Sequence, residues 1–208
     1  MTTRLGLISD PHAKRAPVAD ALTIFEQQQV DKIICAGDVA GYFEETGAVI
    51  ELLSGSHCQT IMGNHDQDYL DTHAAETDTP EYQFLSALPS TLEYELEGRR
   101  IYVVHAHPPK SLHGGIKLLD VDGDLIPEQK QYWKQQLAGF DHDVLVVGHT
   151  HQVFAEKMGN LLVINPGSTQ FNHTCMVLSL PEMRVQVFAL EGKEPLKSWN
   201  WGKFIHDR

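Results

Sequence analysis

Five apolar runs in this chain each stop at a short cluster of carboxylate, imidazole or amide side chains. That repeated pattern restricts the folds open to the chain more than any other feature. Residues 5–9 give way to Asp10 and His12, and 33–36 give way to Asp38. Residues 61–62 lead into Asn64, His65 and Asp66, 102–104 into His105 and His107, and 144–147 into His149 and His151. In an open α/β sheet, side chains just past the carboxyl ends of neighbouring strands face one crevice. The five clusters are therefore expected to converge.

The segments between the clusters support such a sheet. A strand over 4–9 precedes a helix over 17–28, in which Val18, Leu22 and Phe25 recur at helical spacing and Pro17 suits the first turn. A strand over 32–36, a helix over 46–53 and a strand over 59–62 continue the β-α-β-α-β order, which implies parallel strands with right-handed crossovers. The polar, acidic stretch 67–89 is expected to form one or two short helices over one edge of the crevice. Residues 92–96 and 100–104 alternate around Glu97-Gly98 and read as a hairpin. A loop rich in Gly and Pro spans 108–123, a helix 127–137 and a strand 144–147. The runs 153–157, 161–164, 175–180 and 184–190 read as antiparallel strands. Two mixed β-sheets packed face to face, with helices outside, accommodate both halves. The 208 residues, 42% of them hydrophobic, suffice for a buried core. With no repeat or linker in view, residues 1–208 read as a single domain.

Charge and cysteine usage narrow the function classes. A net charge of −12 opposes steering toward long nucleic acid or an anionic membrane surface. It leaves room for a small anionic ligand if bound cations invert the local field. Cys35, Cys58 and Cys175 are widely spaced, which is neither a disulfide framework nor a thiolate zinc site. With no signal-like core and no membrane-length apolar run, a cytoplasmic location is expected.

The residue types in the clusters suit a metal. Carboxylate, imidazole and amide oxygen are ligands for manganese, iron, zinc or nickel. Asp10 and His12 are two apart, as are His149 and His151. Past a strand end, that spacing lets both side chains of a pair reach one centre, or one reach each of two. The donors outnumber what one ion needs, and the two oxygens of Asp38 can bridge a pair. Two divalent cations outweigh the charge of Asp10 and Asp38, so the remaining positive charge would attract a phosphate ester and lower the pKa of a bridging water. These are the requirements of metal-assisted phosphoester hydrolysis. Gly37, Gly63 and Gly148 each precede a ligand candidate, where a sharp turn off the strand is expected. Asn165-Pro166-Gly167-Ser168 reads as a rigid turn, either shaping the pocket floor or having no special role.

In order, the series DPH, GD, GNHD, HAH and GHTH, followed by NPGS, resembles the calcineurin-like metallophosphoesterases. It is most similar to their small bacterial and archaeal phosphodiesterase branch, which also contains the retromer-type scaffold subunit. The resemblance runs from Asp10 to Ser168. It implies a four-layer αββα sandwich and a binuclear centre of two divalent ions. Asp10, His12 and His151 would hold the first metal and Asn64, His105 and His149 the second, with Asp38 bridging. His65 would contact the phosphate and help protonate the leaving group. Manganese (Mn2+) is the implied metal, with iron, zinc or nickel as alternatives. The implied activity is hydrolysis of a small phosphoester or nucleotide, a diester rather than a monoester, through a metal-bridging hydroxide. The chain departs from its relatives at Ala13-Lys14, Ala106 and Gln170-Phe171-Asn172. These changes remove no ligand and alter the pocket wall.

Several residues carry two readings. His107 is a third histidine of its cluster touching phosphate, or a structural one. Lys110, His113 and Lys117 form a basic lip for a second phosphate or nucleotide, or are simply solvated. Asp66 and Asp68 orient His65, or cap the helix that follows. Tyr42 and Phe43 stack on a base or aryl group, or pack in the core. Trp199, Trp201 and Phe204 pack on the body, or meet a partner. His57, His73, His142, His173 and His206 are expected on the surface or in loops. Two competing functions remain open. A non-catalytic scaffold of the same fold needs neither the ligand set nor His65, and both are present. A metallopeptidase would need HExxH or a glutamate base in the clusters, and neither occurs.

Overall fold

The computed structural model describes residues 2–200, so Trp201, Phe204 and His206 lie outside the described residues. Ten strands and five helices follow one another as β1 (Thr3–Ile8), α1 (Arg15–Gln27), β2 (Lys32–Cys35), α2 (Thr46–Gly55), β3 (Gln59–Thr60), α3 (Asn64–Thr72), α4 (Pro80–Ser86), β4 (Thr91–Leu96), β5 (Arg99–Val104), α5 (Pro127–Gln136), β6 (Val144–Val146), β7 (Val153–Met158), β8 (Leu161–Pro166), β9 (Thr174–Leu180) and β10 (Arg184–Ala189). One sheet has the order β10-β9-β1-β2-β3 and the other β4-β5-β6-β8-β7. Strands β1, β2 and β3 run parallel, as do β5, β6 and β8, while β9, β10, β4 and β7 pair antiparallel. Both sheets are therefore mixed.

Alternation along the strands builds the layers. Leu5 and Leu7 of β1 meet Ile101, Val103, Val144 and Ile164 of the other sheet in the central apolar layer. On the opposite face of β1, Ile8 packs with Val18, Phe25, Val49 and Leu53 beneath α1 and α2. The second sheet turns Val104, Leu145 and Val163 outward against Ile116 and Leu118 of the loop after β5, and against Trp133 and Leu137 of the α5 region. Three apolar layers separate four layers of secondary structure, an αββα sandwich. Gly6 sits where a Cβ would come within 2.8 Å of the Phe25 ring, so its lack of a side chain lets α1 lie close on β1.

Two differences from the sequence expectation bear on the site. Strand β3 is shorter than 59–62, because Met62 N–H donates to the Pro89 carbonyl in a loop rather than to a strand. Helix α3 begins at Asn64, inside the cluster, because the Asp66 carboxylate accepts from Gly63 N at 2.9 Å and caps the helix there. Among the described residues no helix is long and apolar enough to cross a membrane. Cys35, Cys58 and Cys175 are free thiols. Burial pushes Cys58 and Cys175 up to about 12, so neither is a thiolate at neutral pH.

Candidate metal centre

The parallel strands of both sheets end on the same side of the sandwich, and their following residues meet there. Asp10, His12 and His151 offer ligand atoms within 4.8 Å of one another, and so do Asp38, His105 and His149. His12, Asp38 and His65 form a third such group that overlaps both the first and the second. The two i, i+2 pairs behave differently. Asp10 and His12 turn into one group together, whereas His149 and His151 divide between the two groups.

Backbone conformation explains how closely spaced residues turn inward. Asp10, His12, Asp38, His149 and His151 have φ of 52°, 47°, 57°, 65° and 48°. This left-handed region is strained for residues with a Cβ, at about 1 kcal/mol or more each, and reverses the chain within a single residue. Backbone bonds hold the turns in place: Asp10 N donates to Gly37 O at 3.0 Å and His12 N to Asp38 O at 3.0 Å. The glycines need a corrected reading. Gly37 does adopt a positive φ of 96°, but Gly63 has an ordinary φ of −108°. A Cβ on Gly63 would strike the Asp38 carboxylate, and one on Gly148 would strike Ser9 and Asp10. At those two positions the requirement is close approach, not turn conformation.

Each buried carboxylate is held by donors from another segment. Asp10 accepts from Ser9 Oγ at 2.5 Å and from His149 N at 3.0 and 3.1 Å. Its own carbonyl accepts from Ser168 Oγ at 2.6 Å, so the NPGS turn lies directly under Asp10. Asp38 Oδ1 accepts from His65 N at 2.9 Å, and its Oδ2 lies 3.3 Å from His105 Nε2. Asp66 is fully buried and accepts from the N–H groups of Asp38, Ala40 and Gly63 at 2.8–2.9 Å. It ties the loop after β2 to the start of α3, whereas Asp68 is exposed on the helix. Burial and the Asp38 charge raise Asp66 to about 7, against the pull of its N–H donors.

The imidazoles are aimed in the same way. His105 Nδ1 donates to the Ala36 carbonyl at 2.7 Å, which leaves Nε2 facing Asp38 and, at 3.1 Å, Asn64 Oδ1. His149 Nδ1 lies 2.8 Å from the same Asn64 oxygen. His12 Nε2 and His151 Nε2 are 2.9 Å apart, with Asp10 Oδ1 at 3.4 Å from His151 and 3.9 Å from His12. Burial drives His12 down to about 3, and burial together with the His105 charge drives His149 down to about 4. Neutral nitrogens and carboxylate oxygens facing one another at these distances suit divalent cations. The donor set fits two such ions.

Without metal, one proton takes part of that role. Burial opposes charge on His105, but the charge and hydrogen bond of Asp38 outweigh it and raise His105 to about 10. Burial likewise opposes charge on Asp10, yet the hydrogen bond and charge of His151, with His105 and His12, hold it well below the usual carboxylate range. A raised imidazole stabilises the fold fully below its ordinary value of 6.5, and that contribution is lost as pH rises through about 10. The urea midpoint of chelator-treated protein is therefore expected to fall between about pH 6.5 and pH 9. His105→Gln should remove most of that fall. An equal fall in the variant would place its origin elsewhere.

The site opens into a cavity of about 460 Å³. Asp38, Asn64, His65, His149 and His151 line one end, and Tyr42, Lys117 and Trp199 line its walls. Of the proposed basic lip, Lys117 reaches this cavity. Lys110 is exposed outside it, and His113 stands with its ring 6.4 Å from that of His149. His107 belongs to a different cavity, beside Tyr102 and Trp133. After β5 the chain turns back through the His107–Ser111 bridge, which carries the His107 ring to 5.7 Å from Trp133. Lys14 turns away from the site toward Glu45, at 3.0 Å.

Three residues make contacts at the site that the sequence left unspecified. Phe171 stacks on His151, with centroids 5.3 Å apart, and Trp199 stacks on Phe171 at 4.3 Å. Asn172, fully buried, donates to the carbonyls of His151 and Leu196 at 2.9 and 2.6 Å and accepts from Ser168 N at 2.8 Å. It joins the NPGS turn, the His151 loop and the C-terminal segment. For Phe171 and Asn172, the sequence signal was the departure from the family pattern just after that turn, which marked a changed pocket wall without specifying these contacts.

Residues 3–181 match the calcineurin-like phosphoesterase superfamily domain. The chain belongs to that superfamily. Among curated relatives, protein MJ0912 of Methanocaldococcus jannaschii is 24% identical, the match covering 79% of this chain and 75% of that one. Phosphodiesterase MJ0936 of the same organism is 25% identical, over 79% of this chain and 82% of its own. Among solved structures, protein PH1004 from Pyrococcus horikoshii OT3 shares the fold with a TM-score of 0.72 and 16% identity, covering 99% of this chain and 92% of that one. Superfamily membership and the overlapping buried donor groups together make this the active site of a metal-dependent phosphoesterase.

Proposed function

We propose that this calcineurin-like phosphoesterase is a single-domain, cytoplasmic phosphodiesterase acting on a small phosphoester or nucleotide. Asp10, His12 and His151 would hold one ion, Asn64, His105 and His149 the other, and Asp38 both. Manganese is the proposed metal. The observation that carries the reading is the position of Asp38, whose carboxylate belongs to two donor groups, one with His12 and one with His105 and His149. Bound there, the cations supply the electrophilic charge that draws phosphoryl oxygens and acidifies water.

The remaining chemistry falls to the chain. His65 sits at the start of α3, with its backbone N–H on Asp38 Oδ1 and its Nε2 3.1 Å from the Tyr42 hydroxyl. Anchored at both ends, its ring faces that of His12 edge-on at 4.9 Å. From there it can contact a phosphoryl oxygen and deliver a proton to the departing alkoxide. Asp66 and the Ala36 carbonyl keep Asp38 and His105 in register, so little reorganisation is left for the reaction. The similarity to MJ0936, itself named a phosphodiesterase, supports the diester preference.

Chelator-treated protein is expected to be inactive on bis(p-nitrophenyl) phosphate, and manganese should restore turnover. The diester should be cleaved faster than p-nitrophenyl phosphate. A preparation carrying two ions per chain but inert toward both esters would overturn this reading in favour of a binding scaffold.

A further inference from the structure

We infer that the substrate carries a second phosphate and that Lys117 is the residue that selects it. This rests on the phosphodiesterase reading and adds the substrate class. Three observations point to it. First, Lys117 is a free cation at the site. It is exposed and lines the cavity that opens from the donor groups. Lys14, Lys130 and Lys193 each pair with a glutamate at 2.6–3.0 Å. Among the described residues, the Lys117 ammonium has no ion pair and no hydrogen bond. In a chain with a net charge of −12, an ammonium left unneutralised beside the donor groups is a place for an anion.

Second, its backbone is fixed to the segment that carries two ligand candidates. His149 and His151 turn to the donor groups, while the residue after each, Thr150 and Gln152, is buried and turns to the loop after β5. Thr150 Oγ1 donates to Ile116 O at 3.2 Å, and Gln152 Oε1 accepts from Leu118 N at 2.7 Å. Lys117 is the residue between those two anchors. Gly115 lets the loop approach: a Cβ there would come within 2.5 Å of the Thr150 side chain and 2.9 Å of the His149 ring. The Lys117 backbone therefore keeps a fixed place relative to the donor groups. Only its side chain has to order when an anion arrives, which keeps the entropic cost of binding small.

Third, the placement suits a charge beyond the scissile one. The donor groups line one end of the cavity and Lys117 a wall. Phosphoryl oxygens at the reacting centre are served by the cations, which leaves Lys117 for a group further along the substrate. Asp120 lines the same cavity, with its Oδ1 accepting from Asp122 N and Asp124 N at 2.9 and 3.0 Å. Its charge and that of the whole chain would repel a second phosphate that met no cation. A lysine holds phosphate as a point charge, through charge-assisted hydrogen bonds.

The test compares diesters with the same leaving group on manganese-loaded protein: propyl p-nitrophenyl phosphate, and analogues whose alkyl chain ends in a phosphonate after three or five carbons. The phosphonate supplies the second charge and has no ester bond to cleave. The wild type should favour a phosphonate ester over the propyl ester by about tenfold in kcat/KM, mainly through KM, and raised salt should shrink that advantage. Lys117→Gln should abolish the advantage, and Lys117→Arg should keep most of it. The side chain is exposed, so neither change should disturb the fold. Calorimetry is a readout independent of turnover. The wild type should bind propane-1,3-bisphosphonate about tenfold more tightly than propylphosphonate, and Lys117→Gln should bind the two alike. An advantage retained in Lys117→Gln, in either assay, overturns the role of Lys117. Turnover of all the esters at equal kcat/KM by the wild type overturns the second phosphate and leaves the phosphodiesterase reading intact. Hydrolysis of none of them would defeat both.

Discussion

Asp38→Asn is expected to lower kcat/KM for a diester by about 10³-fold and to reduce bound manganese from two ions per chain to fewer than one. The substitution is nearly isosteric. Asparagine keeps an Oδ1 that can accept the His65 N–H now held at 2.9 Å, so α3 should stay in place. What disappears is the negative charge that faces His105 Nε2 at 3.3 Å and is common to two of the donor groups. Burial leaves no solvent to compensate for that loss. Metal content by atomic absorption and turnover by spectrophotometry would be read on the same sample, with circular dichroism to confirm the fold. Activity within tenfold of wild type at full metal content would show that Asp38 is not the shared ligand.

The second large effect belongs to His65. His65→Ala should cut hydrolysis of a diester with an alkyl leaving group by about 10²–10⁴-fold, and that of bis(p-nitrophenyl) phosphate far less. An alkoxide needs a proton as it departs, whereas nitrophenolate is stable without one. The pose of His65 makes the comparison clean, because its ring reaches Tyr42 at 3.1 Å while its backbone, not its side chain, holds Asp38. The variant should therefore keep both ions. Equal losses on both substrates would assign His65 to binding the phosphate, with no part in proton delivery.

Much of the fold was legible because it depends on strong local patterns. Alternation in 92–104 around Glu97-Gly98 predicts the β4–β5 hairpin, and Val18, Leu22 and Phe25 mark the buried side of α1. The convergence of the clusters followed from the direction of the strands. The division of His149 and His151 between two groups came only with the family resemblance, because it depends on left-handed conformations at both residues that spacing alone leaves open. The start of α3 was missed because one carboxylate, Asp66, caps the helix three residues earlier than the polar run suggests.

The cavity walls were the least legible part. His107 carried two readings, a phosphate contact or a structural histidine, and the turn to Ser111 carries it to a separate cavity beside Trp133. Phe171, Asn172 and Trp199 belong to irregular segments with no periodicity to read. Their roles come from contacts across long stretches of chain: Asn172 reaches His151 and Leu196, and Trp199 reaches Phe171. Strand ends carry the chemistry shared across a superfamily, and irregular segments shape the space beside it.

The most direct measurement is anomalous diffraction at the manganese edge from a crystal grown with that metal. Two peaks about 3.5–4 Å apart are expected on either side of the Asp38 carboxylate, one within reach of Asp10, His12 and His151 and the other of Asn64, His105 and His149. One peak alone, or peaks lying away from these seven side chains, would contradict the account.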